Sequence, residues 1–144
     1  GEDVSEAIRC PEVSQAASKV SMLLGVRRAM VVAQRRMSAG ASVVMEGRDI
    51  GTVVLPDAPL KVFLTASEDE RARRRLRDLE LRGRKATLEE VRREIRERDQ
   101  RDSTRDAAPL RKADDAVEVN TDGMTIDEVV GRILALARER GARG

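Results

Sequence analysis

Three short, largely apolar runs, 42–46, 60–64 and 116–120, are separated along the chain by segments with helical periodicity. The first run is continuous rather than alternating, which is typical of a central strand in a parallel sheet. Strands that alternate with helices predict an α/β fold with a parallel sheet. Three strands make a thin sheet, so we expect the fold within these 144 residues to be incomplete.

Helical segments surround these runs. Apolar residues at helical spacing predict helices over 13–24 and 26–37, with Gly25 as the break between them. Capping boxes of the form Ser/Thr-x-x-Glu predict three further helix starts, at 67–70, 87–90 and 125–128. The chain is long enough for one domain with a modest core.

Several classes of chemistry are excluded by residues that the chain lacks. There is no His, which removes Ser-His and Cys-His nucleophiles and imidazole metal ligands. Cys10 is the only cysteine, so it forms neither an internal disulfide nor a zinc site. No apolar stretch approaches the ~20 residues that span a membrane, and residues 1–3 do not resemble a signal peptide. We therefore expect a cytoplasmic protein without a membrane partner.

Arginine dominates the cations, with 24 Arg against 4 Lys, and 13 of the arginines fall within residues 71–105. Arginine favours bidentate contact with phosphate, so this segment could form a lid that neutralises phosphoryl charge. Acidic residues interleave with the arginines and reduce the net charge of the chain to +2. A solvated salt-bridge surface and a nucleic-acid patch are therefore the alternatives.

Residues 46–51, Glu-Gly-Arg-Asp-Ile-Gly, directly follow the first predicted strand. Ligands of open α/β sheets bind beyond the carboxyl ends of strands, and glycines let the backbone approach a ligand. The guanidinium of Arg48 can donate two hydrogen bonds to an anion, and the carboxylate of Asp49 can accept hydrogen bonds from hydroxyl or amino groups. The alternative is a tight turn with an internal Arg–Asp pair.

Arg98, Asp102 and Arg105 follow the spacing i, i+4, i+7, which places them on one face of a helix. Two guanidiniums beside one carboxylate form a cradle for a phosphate and a neighbouring polar group. A solvated salt-bridge stripe is the competing interpretation, because such charge runs usually face water.

The run 46–54 with residues 56–58 closely resembles the corresponding stretch of bacterial cytidylate kinases. Residues 97–105 with 108–110, and the opening residues 1–5, are similar to the same family. The resemblance covers essentially the whole chain, and three motifs occur in the family's order.

This resemblance implies a P-loop NTPase-like three-layer fold and transfer of the ATP γ-phosphoryl group to CMP or dCMP, with Mg²⁺. It also implies four regions: 1–25 as the end of the monophosphate-binding region, 26–66 as core, 67–96 as a helical excursion containing the lid, and 97–144 as the C-terminal core. The parent enzyme is expected to be monomeric and not to bind nucleic acid.

The resemblance also assigns residues. Ser18, Arg27 and Asp49 would hold the cytidine nucleotide, with Asp102 and Asp49 on base or sugar groups. The CMP phosphate would lie between Arg98 and Arg105, and the candidate catalytic residues are Arg48, Arg98 and Arg105. Weaker candidates for ATP contacts in the lid are Arg74 and Arg75. No residue is assigned to a metal.

The chain departs from the family in one respect: no G-x-x-x-x-G-K-[ST] motif occurs in the sequence. The P-loop strand and helix are therefore expected to lie upstream of Gly1. Without that loop there is no backbone cradle for the ATP phosphates, so we expect the isolated chain to be inactive. A CMP-binding module without catalysis and an arginine-rich nucleic-acid-binding domain remain the alternative functions.

Overall fold

The structure, a computed structural model, describes residues 2–5, 7–104 and 109–141. Helices dominate the described residues, and two strands lie between them. The α-helices are α1 Pro11–Val20, α2 Leu24–Ser38, α3 Glu68–Leu81, α4 Leu88–Thr104 and α5 Ile126–Glu139. The strands are β1 Val62–Thr65 and β2 Val117–Asn120, and Ala7–Arg9 and Ile50–Val54 form a 3₁₀ turn and a π-helical turn.

The two strands pair in parallel, with Val62 opposite Val117 and Thr65 opposite Asn120. The ladder is extended at both ends, where Val117 N donates to Lys61 O (2.9 Å) and Thr121 N donates to Thr65 O (2.8 Å). A parallel connection needs a long crossover, which α3 and α4 supply here. The prediction of an α/β fold with a parallel sheet is confirmed.

The predicted strand at 42–46 is wrong for this structure, because that segment is neither helix nor strand. Its apolar composition favours a strand, but a strand also needs a neighbour whose backbone groups pair with its own. No residue within the described ranges provides that ladder, and Val44 is fully exposed. The described sheet therefore has two strands instead of the expected three.

The three helix starts predicted from capping boxes are confirmed. Ser67 Oγ accepts from Glu70 N (3.2 Å), and the Thr125–Glu128 box is reciprocal.

The predicted break at Gly25 is wrong, because Gly25 lies inside α2 and the chain turns at residues 21–23 instead. Gly25 lies in the first turn of α2, whereas the entropic penalty of glycine applies chiefly to the middle of a helix.

The main core lies between α3 and α4, where Ala72, Leu79 and Val91 are buried. Outside this pair the packing is looser: large apolar side chains of α1, α2 and α5 remain exposed, including Val20, Met37 and Ile126. No helix in the described part of the chain is long and apolar enough to cross a membrane. The α3–α4 pair therefore holds the main core, and α4 contributes residues to the candidate site.

Candidate functional site

Arg48 and Asp49 lie directly before the π-helical turn Ile50–Val54. Asp49 O accepts hydrogen bonds from Val53 N (2.9 Å) and Val54 N (3.3 Å), and Ile50 O accepts from Leu55 N (2.7 Å). π-helical turns are rare and are often found at functional sites. A side chain on Gly47 would come within 2.9 Å of Ile50 Cγ1, so the approach to this turn is sterically tight.

Asp49 is linked to α2 and α1 through its carboxylate. Arg27 Nη2 pairs with Asp49 Oδ2, and both side chains are mostly buried. Arg27 Nη1 also donates to Ser21 O (3.3 Å), and Ser21 Oγ donates to Ser18 O (2.7 Å). The Ser18 hydroxyl oxygen is buried without a hydrogen-bond partner among the described residues. The structure thus joins Ser18, Arg27 and Asp49 in one polar chain with an unused hydroxyl at its end.

Arg48 points to α4, where it meets Arg98, Asp99 and Asp102; we call these four residues the guanidinium cluster. Arg48 Nε lies 3.4 Å from Asp102 Oδ2, and Arg98 Nε lies 3.8 Å from the same oxygen. Arg48 Nη1 lies 4.0 Å from Asp99 Oδ1. Asp102 is 5% exposed, whereas the two arginines are partly open to solvent. One buried carboxylate therefore lies between two accessible guanidiniums.

Arg98, in the guanidinium cluster, has a shifted pKa. Partial burial lowers the pKa of Arg98, and the neighbouring charge of Arg48 lowers it further. Asp102 opposes this shift and Arg75 adds to it, but the net direction is downward. The larger cause, burial, penalises the charged form of the guanidinium, and the second cause, Arg48, is a like charge beside it.

The two lid candidates have different surroundings. Arg75 pairs with Asp78 at 3.4 Å and is near enough to Arg98 to lower its pKa. Arg74 is engaged elsewhere: its guanidinium donates to Thr121 Oγ1 (3.0 Å) and Thr121 O (2.5 Å), and its Nε lies 2.8 Å from Glu70 Oε1. In this conformation Arg74 ties α3 to the end of β2.

Arg105, the remaining candidate, lies outside the described residues. The other residues predicted for the substrate form two neighbouring groups, Ser18–Arg27–Asp49 and Arg98–Asp102. Arg48, predicted as a catalytic residue, adjoins Asp49 and contacts Asp102. They come from α1, α2, the 48–49 turn and α4. These roles stay predictions.

Two contributors escaped the sequence analysis. Asp99 pairs with Arg71 Nη1 at 2.5 Å and so connects α3 to the guanidinium cluster. Arg35 Nε and Nη2 donate to Val54 O and Val53 O, at 2.9 and 2.7 Å. Asp99 adjoins Arg98, which is a usable signal. Arg35 carried no signal, because its partners are backbone carbonyls that no sequence pattern marks.

A protein-held metal centre is not supported by the residues with described positions, since no group of three His, Cys, Asp or Glu side chains converges among them. The acids of the site are instead paired with arginines. These residues do not provide a cage for Mg²⁺.

Comparison with known proteins places the chain in a family of nucleotide kinases. A family model described as cytidylate kinase matches residues 1–139. A cytidylate kinase of Carboxydothermus hydrogenoformans is 52% identical over 134 residues, and one of Thermotoga maritima is 51% identical over 140. A bifunctional pantoate ligase/cytidylate kinase of Prochlorococcus marinus (strain MIT 9313) is 54% identical over 139 residues. The chain belongs to the cytidylate kinase family.

The matches cover nearly all of this chain but only part of the relatives. The alignments include 93% and 97% of this chain, and 60% and 64% of the Carboxydothermus and Thermotoga proteins. The match to the bifunctional protein covers 96% of this chain and 28% of that protein. The chain thus spans about three fifths of the length of the monofunctional relatives it matches.

Proposed function

We propose that the guanidinium cluster binds the 5′-phosphate of CMP or dCMP, and that the protein to which this chain belongs phosphorylates that nucleotide with ATP to give CDP or dCDP. The observation that carries the proposal is the pair of guanidiniums, Arg48 and Arg98, on one buried carboxylate oxygen. A phosphate can accept bidentate hydrogen bonds from both arginines. Arg105, which lies outside the described residues, would add a third guanidinium.

The nucleoside would lie toward Asp49. Its carboxylate is held by Arg27, and the buried Ser18 hydroxyl is available as donor or acceptor. Both groups suit the amino, carbonyl and hydroxyl groups of cytidine. Asp102, at the boundary between the two halves of the site, would accept from a sugar hydroxyl or a base amino group. This arrangement orients the substrate without any covalent intermediate.

The residues of this chain contribute to phosphoryl transfer by positioning and by charge stabilisation. Arg48 and Arg98 would fix the acceptor phosphate and offset negative charge as it develops. The helical pair α3–α4, with Arg75 facing Arg98, would form part of the lid. ATP would be the phosphoryl donor, with Mg²⁺ carried on its phosphates. None of the described residues is assigned to bind ATP or Mg²⁺.

Calorimetric titration of CMP into the full chain tests the binding half of the proposal, with UMP and AMP as controls. We expect selective binding of CMP. A chain that is folded by circular dichroism but does not bind CMP would overturn the proposal. Indifference to CMP together with salt-dependent binding of DNA or RNA would instead support a nucleic-acid-binding domain.

A coupled kinase assay tests the catalytic half. We expect the isolated chain to bind CMP without phosphorylating it, because its sequence contains no phosphate-binding glycine-rich loop with the required Lys. Turnover by the isolated chain at a rate typical of kinases, about 1–100 s⁻¹, would contradict that expectation.

A further inference from the structure

The turn formed by residues 49–54 is held against α2 at both ends. At its start, Asp49 pairs with Arg27. At its end, Arg35 donates to Val53 O (2.7 Å) and Val54 O (2.9 Å). Arg27 and Arg35 are eight residues apart, so they lie about 12 Å apart along the helix axis and within about 80° around it. One stripe of α2 therefore spans the whole turn.

The hydrogen bonds from Arg35 satisfy carbonyl groups at the end of this turn that have no donor within it. The last carbonyls of a helical turn have no intrahelical donor, and a one-turn π-helix is too short to be stable by itself. The planar guanidinium can satisfy two neighbouring carbonyls at once, which a lysine cannot do in the same geometry. The Val54 side chain, 1% exposed, anchors this end of the turn by packing, and Arg35 anchors it by hydrogen bonding.

The position of this turn determines where the two preceding side chains point. Arg48 and Asp49 adjoin Ile50, so a rotation of the turn would move Arg48 away from Asp102 and Asp49 away from Arg27. We propose that Arg35 is a positioning residue, which fixes the 49–54 turn and thereby aligns Arg48 and Asp49 for a nucleoside monophosphate. The substrate part of this inference rests on the proposed function.

The test uses the full chain in four forms: wild type, Arg35→Met, Arg35→Lys and Arg36→Met. Met keeps the apolar stem of the side chain and removes all donors. Arg36 is the matched control, because it follows Arg35 on α2, is exposed, and has no hydrogen bond or ion pair to other residues in the described ranges. Amide hydrogen exchange of residues 53–55 reports on the turn, and calorimetry with CMP reports on the site.

For Arg35→Met we expect exchange of the amides of residues 53–55 to accelerate about tenfold, from the loss of two charge-assisted hydrogen bonds at a partly exposed site. Exchange in β1, β2 and α5 should not change. CMP affinity should fall about fivefold to tenfold by the same loss. Arg35→Lys should recover part of both effects, and Arg36→Met should match the wild type.

Unchanged exchange in Arg35→Met would overturn the inference, and so would acceleration spread over the whole chain, which would indicate a general loss of stability. Local acceleration with unchanged CMP affinity would also overturn it. If the wild type itself does not bind CMP, the proposed function fails, and the exchange pattern alone decides whether Arg35 fixes the turn.

Discussion

Arg96 and Arg98 lie two residues apart on α4, yet their environments shift the pKa in opposite directions. Arg96 Nε lies 2.8 Å from Glu68 Oε1 in an exposed ion pair, and this hydrogen bond raises the pKa of Arg96. Burial and the charge of Arg48 lower the pKa of Arg98. The outward face of α4 therefore carries an exposed ion pair, whereas on its inward face two guanidiniums share one buried carboxylate.

This difference shows why the number of arginines in residues 71–105 is a poor guide to binding. Exposed pairs such as Arg96–Glu68 and Arg92–Asp69 are screened by water and contribute little to stability. In the proposed function, the guanidiniums that bind a ligand are those that crowd a buried carboxylate. The exposed salt bridges and the proposed anion site thus lie on two faces of one helix.

The largest effect is expected from replacing Arg98. Arg98→Met should weaken CMP binding about 100-fold, since it removes a charge-assisted partner of the phosphate. Arg96→Met, the matched change on the outward face, should alter the affinity less than twofold. Calorimetry on the two variants measures the contrast. Similar affinities for both would mean that the two faces of α4 do not differ in function.

Replacing Asp102 shows how much its carboxylate contributes to stability between the two guanidiniums of the guanidinium cluster. Asp102→Asn leaves Arg48 and Arg98 close together without their shared carboxylate, so the free energy of unfolding should fall by about 2 kcal/mol. The control is Asp78→Asn, which breaks exposed pairs with Arg75 and Arg82 and should cost at most about 0.5 kcal/mol. Urea denaturation gives both values, and an equal loss in the two variants would contradict the contrast.

A smaller effect is expected at the N-terminus of the same helix, where the stabilising contacts are local. Thr87 Oγ1 accepts from Glu90 N at 3.2 Å, and Thr87 N donates to Glu90 Oε2 at 2.8 Å. Thr87→Ala should lower the free energy of unfolding by about 1 kcal/mol, as for other helix caps. CMP affinity should not change. A loss of affinity equal to that of Arg98→Met would link the cap to the site.

The smallest effect is a pH dependence of this cap. The backbone hydrogen bond from Thr87 lowers the pKa of Glu90, with the Thr87 hydroxyl adding to the shift. The carboxylate therefore stabilises the folded chain above its unfolded-state pKa of about 4.3, and this contribution is lost as the pH falls through the lower folded value. The difference in stability between wild type and Glu90→Gln should be largest near pH 7 and shrink below about pH 4.3.

Denaturation at a series of pH values checks this expectation, with Glu94→Gln as an exposed mid-helix control. A gap for Glu90→Gln that stays constant down to pH 3, or a gap of the same size for Glu94→Gln, would show that the cap carboxylate contributes nothing specific.

Elements that depend on neighbours in sequence were predictable. The capping boxes located the starts of α3, α4 and α5, because a cap is satisfied within four residues. The run 42–46 was predicted as a strand and is not one, because a strand depends on a partner elsewhere in the fold. Gly25 was predicted as a break, but it lies in the first turn of α2, away from the helix interior where the entropic penalty of glycine applies.

Some features of the candidate site were likewise visible in the sequence, and others depend on the tertiary fold. The helical spacing of Arg98 and Asp102 was visible in the sequence, and the similarity of three motifs indicated the family. Arg48 is 54 residues from Asp102, so only the tertiary fold brings their side chains together. Asp99 and Arg35 escaped detection because Arg71 lies 28 residues from Asp99 and the partners of Arg35 are backbone carbonyls.

By itself, the sequence determined the helix starts, the parallel α/β class and the family of this protein, because those features rest on local hydrogen bonds and on motif similarity. Only the tertiary structure decided which arginines face solvent and which crowd a buried carboxylate. Charge balance and burial depend on residues that are distant in the chain, and no local pattern specifies them.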